Sequence, residues 1–230
     1  MAEVVAIVLA AGQGKRMSSK TAKQFMELGG KPLLYYSLRA MEQSGVNRIV
    51  LVTGENQISY CEELVEKYDL KKVHKIVAGG KERYHSVYAG LQAAAPCDIV
   101  LIHDGARPFV TQEMITASIQ NAEKKGACIV AVPVKDTIKV VAENGIATAT
   151  PNRSELYQVQ TPQTFRYEEI KKAYDEMMKK EDNHITDDAM VMEQYGGKQV
   201  YVIPGDYRNI KITTPEDMVI ANAYLKNQIF

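Results

Sequence analysis

The residues most suited to chemistry gather in a few short runs, the first of them near the start of the chain. An apolar, β-branched stretch from Val4 to Leu9 stops at Ala10-Ala11 and passes at once into Gly12-Gln13-Gly14-Lys15-Arg16. That is the pattern of a buried parallel strand feeding a loop that holds phosphate. Glycines let backbone N–H groups close on an anion, and the cations that follow match its charge. Between Val4 and Met26 stand Lys15, Arg16, Lys20 and Lys23 and no acid, in a chain whose Lys+Arg and Asp+Glu totals are both 28. The excess is therefore a placement and not a consequence of composition. The P-loop spacing is absent, and Met17 stands where a dinucleotide fingerprint needs its third glycine.

A second run is His103-Asp104-Gly105-Ala106-Arg107-Pro108, which follows the apolar Ile99–Ile102. A hard carboxylate just past a central strand suits a divalent cation that bridges nucleotide phosphates, and a guanidinium there suits a second phosphate. Read alone, Asp104 would cap a turn and Arg107 would pair on the surface. His103 reads as a packed residue and not as a base. Arg153 and Lys211 are further cations, the latter inside the apolar run Asn209-Ile210-Lys211-Ile212-Thr213. The turn Gly79-Gly80-Lys81-Glu82-Arg83 opens a helix and brings Ser86 one turn in, where backbone can face a base or ribose. These features converge on transfer of a nucleotidyl group to an anionic acceptor. No Ser/His/Asp triad, zinc spacing or activated cysteine accompanies them.

The elements that must position these residues alternate. Strands are expected at Val4–Leu9, Arg48–Thr53, Val73–Val77, Ile99–Ile102 and Cys128–Val132. Helices are expected at Pro32–Met41, Ser59–Tyr68, Arg83–Ala95 and Glu113–Lys125. The rhythm predicts an α/β fold, an open and mostly parallel sheet with helices on both faces, whose ligands sit beyond the carboxyl ends of the strands. After Pro133 it breaks. Residues 135–160 look extended around Glu143-Asn144-Gly145, a hairpin signal, with Thr137–Val141 going out and Ile146–Thr150 returning. Such a β-arm has little core of its own and is expected to pack on a second subunit. Helices at Arg166–Lys180 and from Thr186-Asp187-Asp188 to about Gln194 follow. Strands at Gln199–Ile203 and Ile210–Ile212 come next, then a last helix capped by Thr214-Pro215-Glu216-Asp217.

The 230 residues and 46% hydrophobic content suit one α/β domain over the whole of 1–230, with the arm as an excursion. Balanced charge argues against a nucleic-acid partner. The short N-terminal apolar run follows Glu3, which reads as a strand and neither a signal peptide nor a membrane span. Cys61, Cys97 and Cys128 fit no disulfide framework and point to the reducing cytoplasm.

These motifs resemble, in order and over nearly the whole chain, the 2-C-methyl-D-erythritol 4-phosphate cytidylyltransferase family of non-mevalonate isoprenoid synthesis. Besides the runs above, the resemblance rests on Lys23-Gln24-Phe25, His85-Ser86-Val87, Val132-Pro133-Val134-Lys135-Asp136-Thr137, Gln160-Thr161-Pro162-Gln163 and Thr186-Asp187-Asp188-Ala189. It implies a Rossmann-like fold, CTP, Mg²⁺ and a homodimer joined by the arms. It also implies that Ala10, Ala11, Gly12, Gly14, Gly80 and Ser86 hold CTP, that Arg16 and Lys23 stabilise the transition state, and that Asp104 engages the metal. Arg153 and Lys211 would position the methylerythritol phosphate with Arg107, Thr137 and Thr161 nearby, Arg153 reaching the neighbouring subunit's site. Ribitol-5-phosphate cytidylyltransferases are similar, but tend to carry Ala-Gly-Gly in the first loop and Asp-Ser-Val-Arg-Pro at the metal aspartate. An NAD(P)-dependent oxidoreductase and a silent nucleotide-binding regulator are the readings from other classes. Two positions depart from the family: Lys81 replaces an acid common after Gly-Gly, and Ala22 replaces the proline usual before Lys23.

Overall fold

The computed structural model describes residues 2–12, 22–180 and 184–228. In chain order the strands are β1 (Val4–Ala10), β2 (Glu27–Leu28), β3 (Lys31–Pro32), β4 (Arg48–Thr53), β5 (Val73–Ala78), β6 (Ile99–Asp104), β7 (Ala127–Pro133), β8 (Val140–Val141), β9 (Ala147–Ala149), β10 (Tyr157–Arg166) and β11 (Tyr201–Pro204). The α-helices are α1 (Leu33–Glu42), α2 (Ile58–Lys67), α3 (Arg83–Ala94), α4 (Gln112–Lys125), α5 (Tyr167–Met178), α6 (Asp188–Tyr195) and α7 (Pro215–Lys226). Seven strands form one sheet in the order β11-β7-β10-β6-β1-β4-β5. All run parallel to their neighbours except β10, which lies antiparallel between β6 and β7.

The sheet is buried on both sides, and side-chain alternation divides its residues between two cores. On β1, Val4, Ala6, Val8 and Ala10 face a core shared with Leu34, Leu38, Leu101 and Ile115. The intervening Val5 and Ile7 face a second one with Val87, Leu91, Phe165, Ile170 and Tyr174. This period of two explains why the central strands read as continuous apolar runs: a parallel strand covered by helices needs hydrophobic residues on both faces. Register sets Leu9 beside Asp104 and Ala10 beside Thr53, so the carboxyl ends of β1, β4 and β6 are level. The strand order reverses beside β1, where such sheets open a crevice for ligands.

The expected α/β sheet is present, with three differences. First, β10 was not expected as a strand. Its Gln158-Val159-Gln160-Thr161-Pro162-Gln163-Thr164 has no apolar alternation, yet Gln160, Thr161, Gln163 and Thr164 are buried. Its first residues pair with β7, Tyr157 opposite Pro133, so the stretch 157–160 belongs to the main sheet and not to the arm. Second, the expected strand Ile210–Ile212 is an irregular strap, whose Ile212 N–H donates to the Ala106 carbonyl at 2.8 Å. Third, the arm's strands are only the β8–β9 pair, turned by Gly145 at φ +82°. Ile138, Val140, Val141 and Ile146 on it are exposed. A third small core of Leu28, Leu33, Phe109, Ile212 and Met218 seats α7 and the strap against the loop after β6. Among the described residues no helix is long and apolar enough to cross a membrane.

The cap at Thr214 forms as expected: its side chain accepts from Asp217 N–H, while Asp217 accepts from Thr214 N–H at 2.9 Å. Gly90 lies where α3 crosses the sheet, and an added Cβ would stand 2.5 Å from Ile7 Cγ2 and 3.1 Å from Val52 Cγ2. Gly90→Ala is expected to lower folding stability by about 1–3 kcal/mol through overpacking. Denaturant titration checks this, and an unchanged midpoint would mean the contact relaxes freely.

Candidate active site

The geometry of the site follows from the level strand ends. Beyond them lies a cavity of about 600 Å³ lined by Ala10, Ala11, Gly12, Lys23, Gly80, Ser86, Asp104 and Lys211. A second depression of about 320 Å³ shares Arg83, Asp104 and Lys211 with it and adds Arg107 and Thr161. Sequence reasoning thus named residues from five separate segments that the fold brings to one crevice. Gly14 and Arg16 lie outside the described residues. Thr137 and Arg153 line neither cavity of this chain: both sit exposed on or beside the arm, and Arg153 Nη1 donates to the Lys135 carbonyl at 2.9 Å.

Several local features build the first cavity. Gly79 packs so closely that a Cβ would lie 2.5 Å from Ala11 Cβ and 2.6 Å from Ser86 Oγ, which presses the Gly79-Gly80 turn against the end of β1. Ser86 Oγ accepts from Gly80 N–H at 3.2 Å and fixes the turn from the helix side. Gln24 is buried, and its side-chain N–H donates to the Ala10 carbonyl, placing Lys23 at the cavity wall. Ala22 has φ −58°, the value to which a proline ring is locked, so alanine here adopts the φ that proline would impose. Lys81 also lines the cavity.

Asp104 is the last residue of β6, not the first of the loop, and it is 7% exposed. Its Oδ2 lies 2.7 Å from Lys211 Nζ and its Oδ1 3.3 Å from Arg83 Nε. Burial alone would push its pKa up. Arg83, Lys211 and Arg107 together outweigh that, Arg83 the most among them, and the carboxyl is held well below the usual carboxylate range. A single ionised carboxylate facing a cavity fits a Mg²⁺ that keeps its waters and is shared with substrate phosphates. Among the described residues no cluster of three or more His, Cys, Asp or Glu offers a cage made by protein alone.

A hydrogen-bonded chain fixes Asp104 from behind. Its N–H donates to Thr161 Oγ1 at 3.1 Å, and Thr161 Oγ1 stands 3.0 Å from His103 Nδ1. His103 Nε2 lies 3.1 Å from the Arg107 carbonyl, an arrangement that gives Nε2 the proton and lets Nδ1 accept from Thr161. His103 is fully buried, and burial pushes its pKa down to about 4. It is therefore neutral and packed, as expected. Among the described residues Arg107 makes no ion pair: Nη1 donates to the Asn209 carbonyl at 2.7 Å and Nη2 to the Val159 carbonyl at 3.4 Å. It ties the strap that carries Lys211 to β10, and Asn209 Nδ2 adds a bond to the Thr161 carbonyl at 2.9 Å.

Sequence reasoning gave no site role to Arg83, Asp188 or Gln163. Arg83 opens α3 and grips Asp188 with both Nη atoms, at 2.9 and 2.8 Å. The signal was the paired acids Asp187-Asp188, since a helix needs only one cap. Asp187 supplies it, accepting from Met190 N–H at 2.9 Å, which leaves Asp188 to turn inward.

Residues 4–227 match the sequence profile of the 2-C-methyl-D-erythritol 4-phosphate cytidylyltransferase family. A relative of that name from Lachnoclostridium phytofermentans is 48% identical over 227 residues, covering 98% of this chain and 97% of its own. One from Clostridium botulinum strain Eklund 17B is 51% identical, covering 98% of this chain and all of its own. Among solved structures, the 4-diphosphocytidyl-2C-methyl-D-erythritol synthase from Anaerococcus prevotii superposes with a TM-score of 0.87 at 35% identity, covering 98% of this chain and 96% of that one. The Thermus thermophilus 2-C-methyl-D-erythritol 4-phosphate cytidylyltransferase superposes with a TM-score of 0.79 at 26% identity, covering 96% and 98%.

Thr161→Val removes the hydroxyl that Asp104 N–H and His103 Nδ1 share. Folding stability is expected to fall by about 1–3 kcal/mol, the cost of leaving buried polar groups without partners, while Thr161→Ser retains most of it. Equilibrium unfolding of the two variants checks this, and equal losses would mean the methyl group and not the hydroxyl matters.

Proposed function

Because the chain belongs to the 2-C-methyl-D-erythritol 4-phosphate cytidylyltransferase family, we propose that it transfers CMP from CTP to 2-C-methyl-D-erythritol 4-phosphate. The products are 4-diphosphocytidyl-2-C-methyl-D-erythritol and pyrophosphate, in non-mevalonate isoprenoid precursor synthesis. The observation that carries the reading is the ionised Asp104, held between Arg83 and Lys211 where two cavities meet. One cavity suits the nucleotide and the other the acceptor, with the reacting phosphates brought together at their junction.

The chemistry needs no base. A phosphate monoester has a second pKa near about 6, so at neutral pH the acceptor is already an oxyanion. One of its oxygens attacks the α-phosphorus of CTP in line. A new P–O bond forms, the bond to the β-phosphate bridging oxygen breaks, and pyrophosphate leaves with the electron pair. The protein must bring two anions together and hold the charge that develops, a task of positioning and electrostatics. Ala10, Ala11, Gly12, Gly14, Gly80 and Ser86 would hold CTP, and Arg16 and Lys23 the charge at the α-phosphorus. Asp104 would hold Mg²⁺, which neutralises phosphate charge when bound. Lys211, Arg107 and Thr161 would position the acceptor.

Thr137 and Arg153 complete the acceptor site if they come from a second copy, in a homodimer joined through the arms. The exposed Ile138, Val140, Val141 and Ile146 on so small a hairpin support that arrangement. The three free cysteines support the cytoplasm as the compartment.

Pyrophosphate release from CTP and Mg²⁺, with methylerythritol 4-phosphate and ribitol 5-phosphate tested in parallel, is expected with the first acceptor only. Release with the second only would move the chain to the ribitol enzymes. Lys23→Ala is expected to lower kcat on the order of 10²–10³-fold with CTP affinity little changed, the loss seen when one such donor is removed. Steady-state kinetics check it, and an unaltered turnover number removes Lys23 from the mechanism. Arg153→Ala is expected to raise KM for the sugar phosphate, and a selective loss of CTP binding would contradict its role.

A further inference from the structure

Behind Asp104 lies a second layer of charge that the transfer chemistry does not itself require. Arg83 faces two carboxylates at once: its Nε lies 3.3 Å from Asp104 Oδ1, and its Nη atoms grip Asp188 at 2.9 and 2.8 Å. Asp188 is fully buried. It also accepts from the Tyr174 hydroxyl at 2.6 Å, and Tyr174 is itself fully buried. Gln163 on β10 fixes the helix start that carries Asp188: its Oε1 accepts from Asp188 N–H at 2.9 Å and from Ala189 N–H at 3.0 Å. Its Nε2 donates to Asp187 Oδ2 at 3.0 Å.

Asp104 therefore has two cationic neighbours of unlike character. Lys211 rides on an irregular strap, with a side chain 35% exposed and, among the described residues, one ion pair, to Asp104. Arg83 is fixed by a two-pronged bond to a carboxylate with no access to water. Guanidinium forks hold their geometry, whereas an ammonium on a four-carbon stem swings. We propose that Arg83 and Asp188 are positioning residues. They form a static clamp that keeps the Asp104 carboxylate aimed into the cavity and balances its charge, and they leave Lys211 as the partner that exchanges from Asp104 to a substrate phosphate. The clamp also balances itself: Arg83 and Lys211 offset Asp104 and Asp188 one for one. Without Asp188, Arg83 would turn fully onto Asp104 and compete for the carboxylate oxygens that a divalent cation needs.

This inference rests on the cytidylyl-transfer reading, and a binding experiment without turnover separates the two. Mn²⁺ affinity is measured by electron paramagnetic resonance with saturating CTP and no acceptor, for the wild type, Asp188→Asn, Arg83→Lys and Tyr174→Phe. Thermal melting and circular dichroism are followed on the same samples. The clamp predicts Mn²⁺ binding weakened on the order of tenfold or more in the first two variants, in the range found for groups that orient a metal ligand. Tyr174→Phe keeps both charges and should show a smaller loss of the same sign, so it serves if Asp188→Asn does not fold. In the acceptor reaction the half-saturating Mg²⁺ should rise while KM for CTP at saturating metal stays near its wild-type value. A merely structural role would lower the melting temperature and leave Mn²⁺ affinity per folded molecule unchanged, and that result overturns the inference. Failure of the wild type to bind Mn²⁺ with CTP would overturn the functional reading instead.

Discussion

A buried carboxylate stays ionised only where counter-charge or hydrogen-bond donors replace water, and Asp104 at the end of β6 is held by counter-charge. Much of the architecture around the crevice can be understood as meeting that need. Arg83 comes from the start of α3, which the Gly79-Gly80 turn delivers to the end of β1. Lys211 comes from a strap between β11 and α7, fastened to the loop after β6 by Ile212 and to β10 by Asn209. The antiparallel β10 enters between β6 and β7, so that Thr161 holds the Asp104 backbone and Gln163 holds the start of α6. Two chain segments distant in sequence thus meet on the Asp104 side chain, and a third holds its backbone.

The same constraint explains what the sequence made legible. The parallel strands were readable because both of their faces are covered, and their apolar runs ended where the sheet ended: β4 spans the expected Arg48–Thr53, and β1 runs one residue past Leu9. Helix starts with a single strong cap, such as Thr214, were equally plain. The glycine loop and the Asp104 run were recognisable because phosphate chemistry demands backbone N–H groups, cations and a hard carboxylate in close order.

What stayed hidden was polar and buried. Gln160, Thr161 and Gln163 look like surface residues in sequence, because nothing local shows that their partners are Asp206, His103 and the N-terminus of α6. Asp188 beside Asp187 looks like a second capping acid until Arg83 arrives from 105 residues away. Ile210–Ile212 has strand composition, but its backbone bonds go to a loop and not to a neighbouring strand. In each case the deciding partner lies far along the chain. Sequence spacing reports local periodicity well and long-range hydrogen bonding poorly.

The central claim is that fixed charge, with no protein base, carries the transfer, since His103 beside Asp104 is buried and neutral. The direct measurement is the pH profile of kcat/KM for the acceptor at saturating CTP and Mg²⁺. The rate should be flat above the second ionisation of the acceptor's phosphate, near about pH 6, and fall tenfold per unit below it. A phosphonate analogue with a higher pKa should carry that limb upward with it. A limb that stays fixed when the acceptor's pKa changes would assign the proton to the protein and contradict the account.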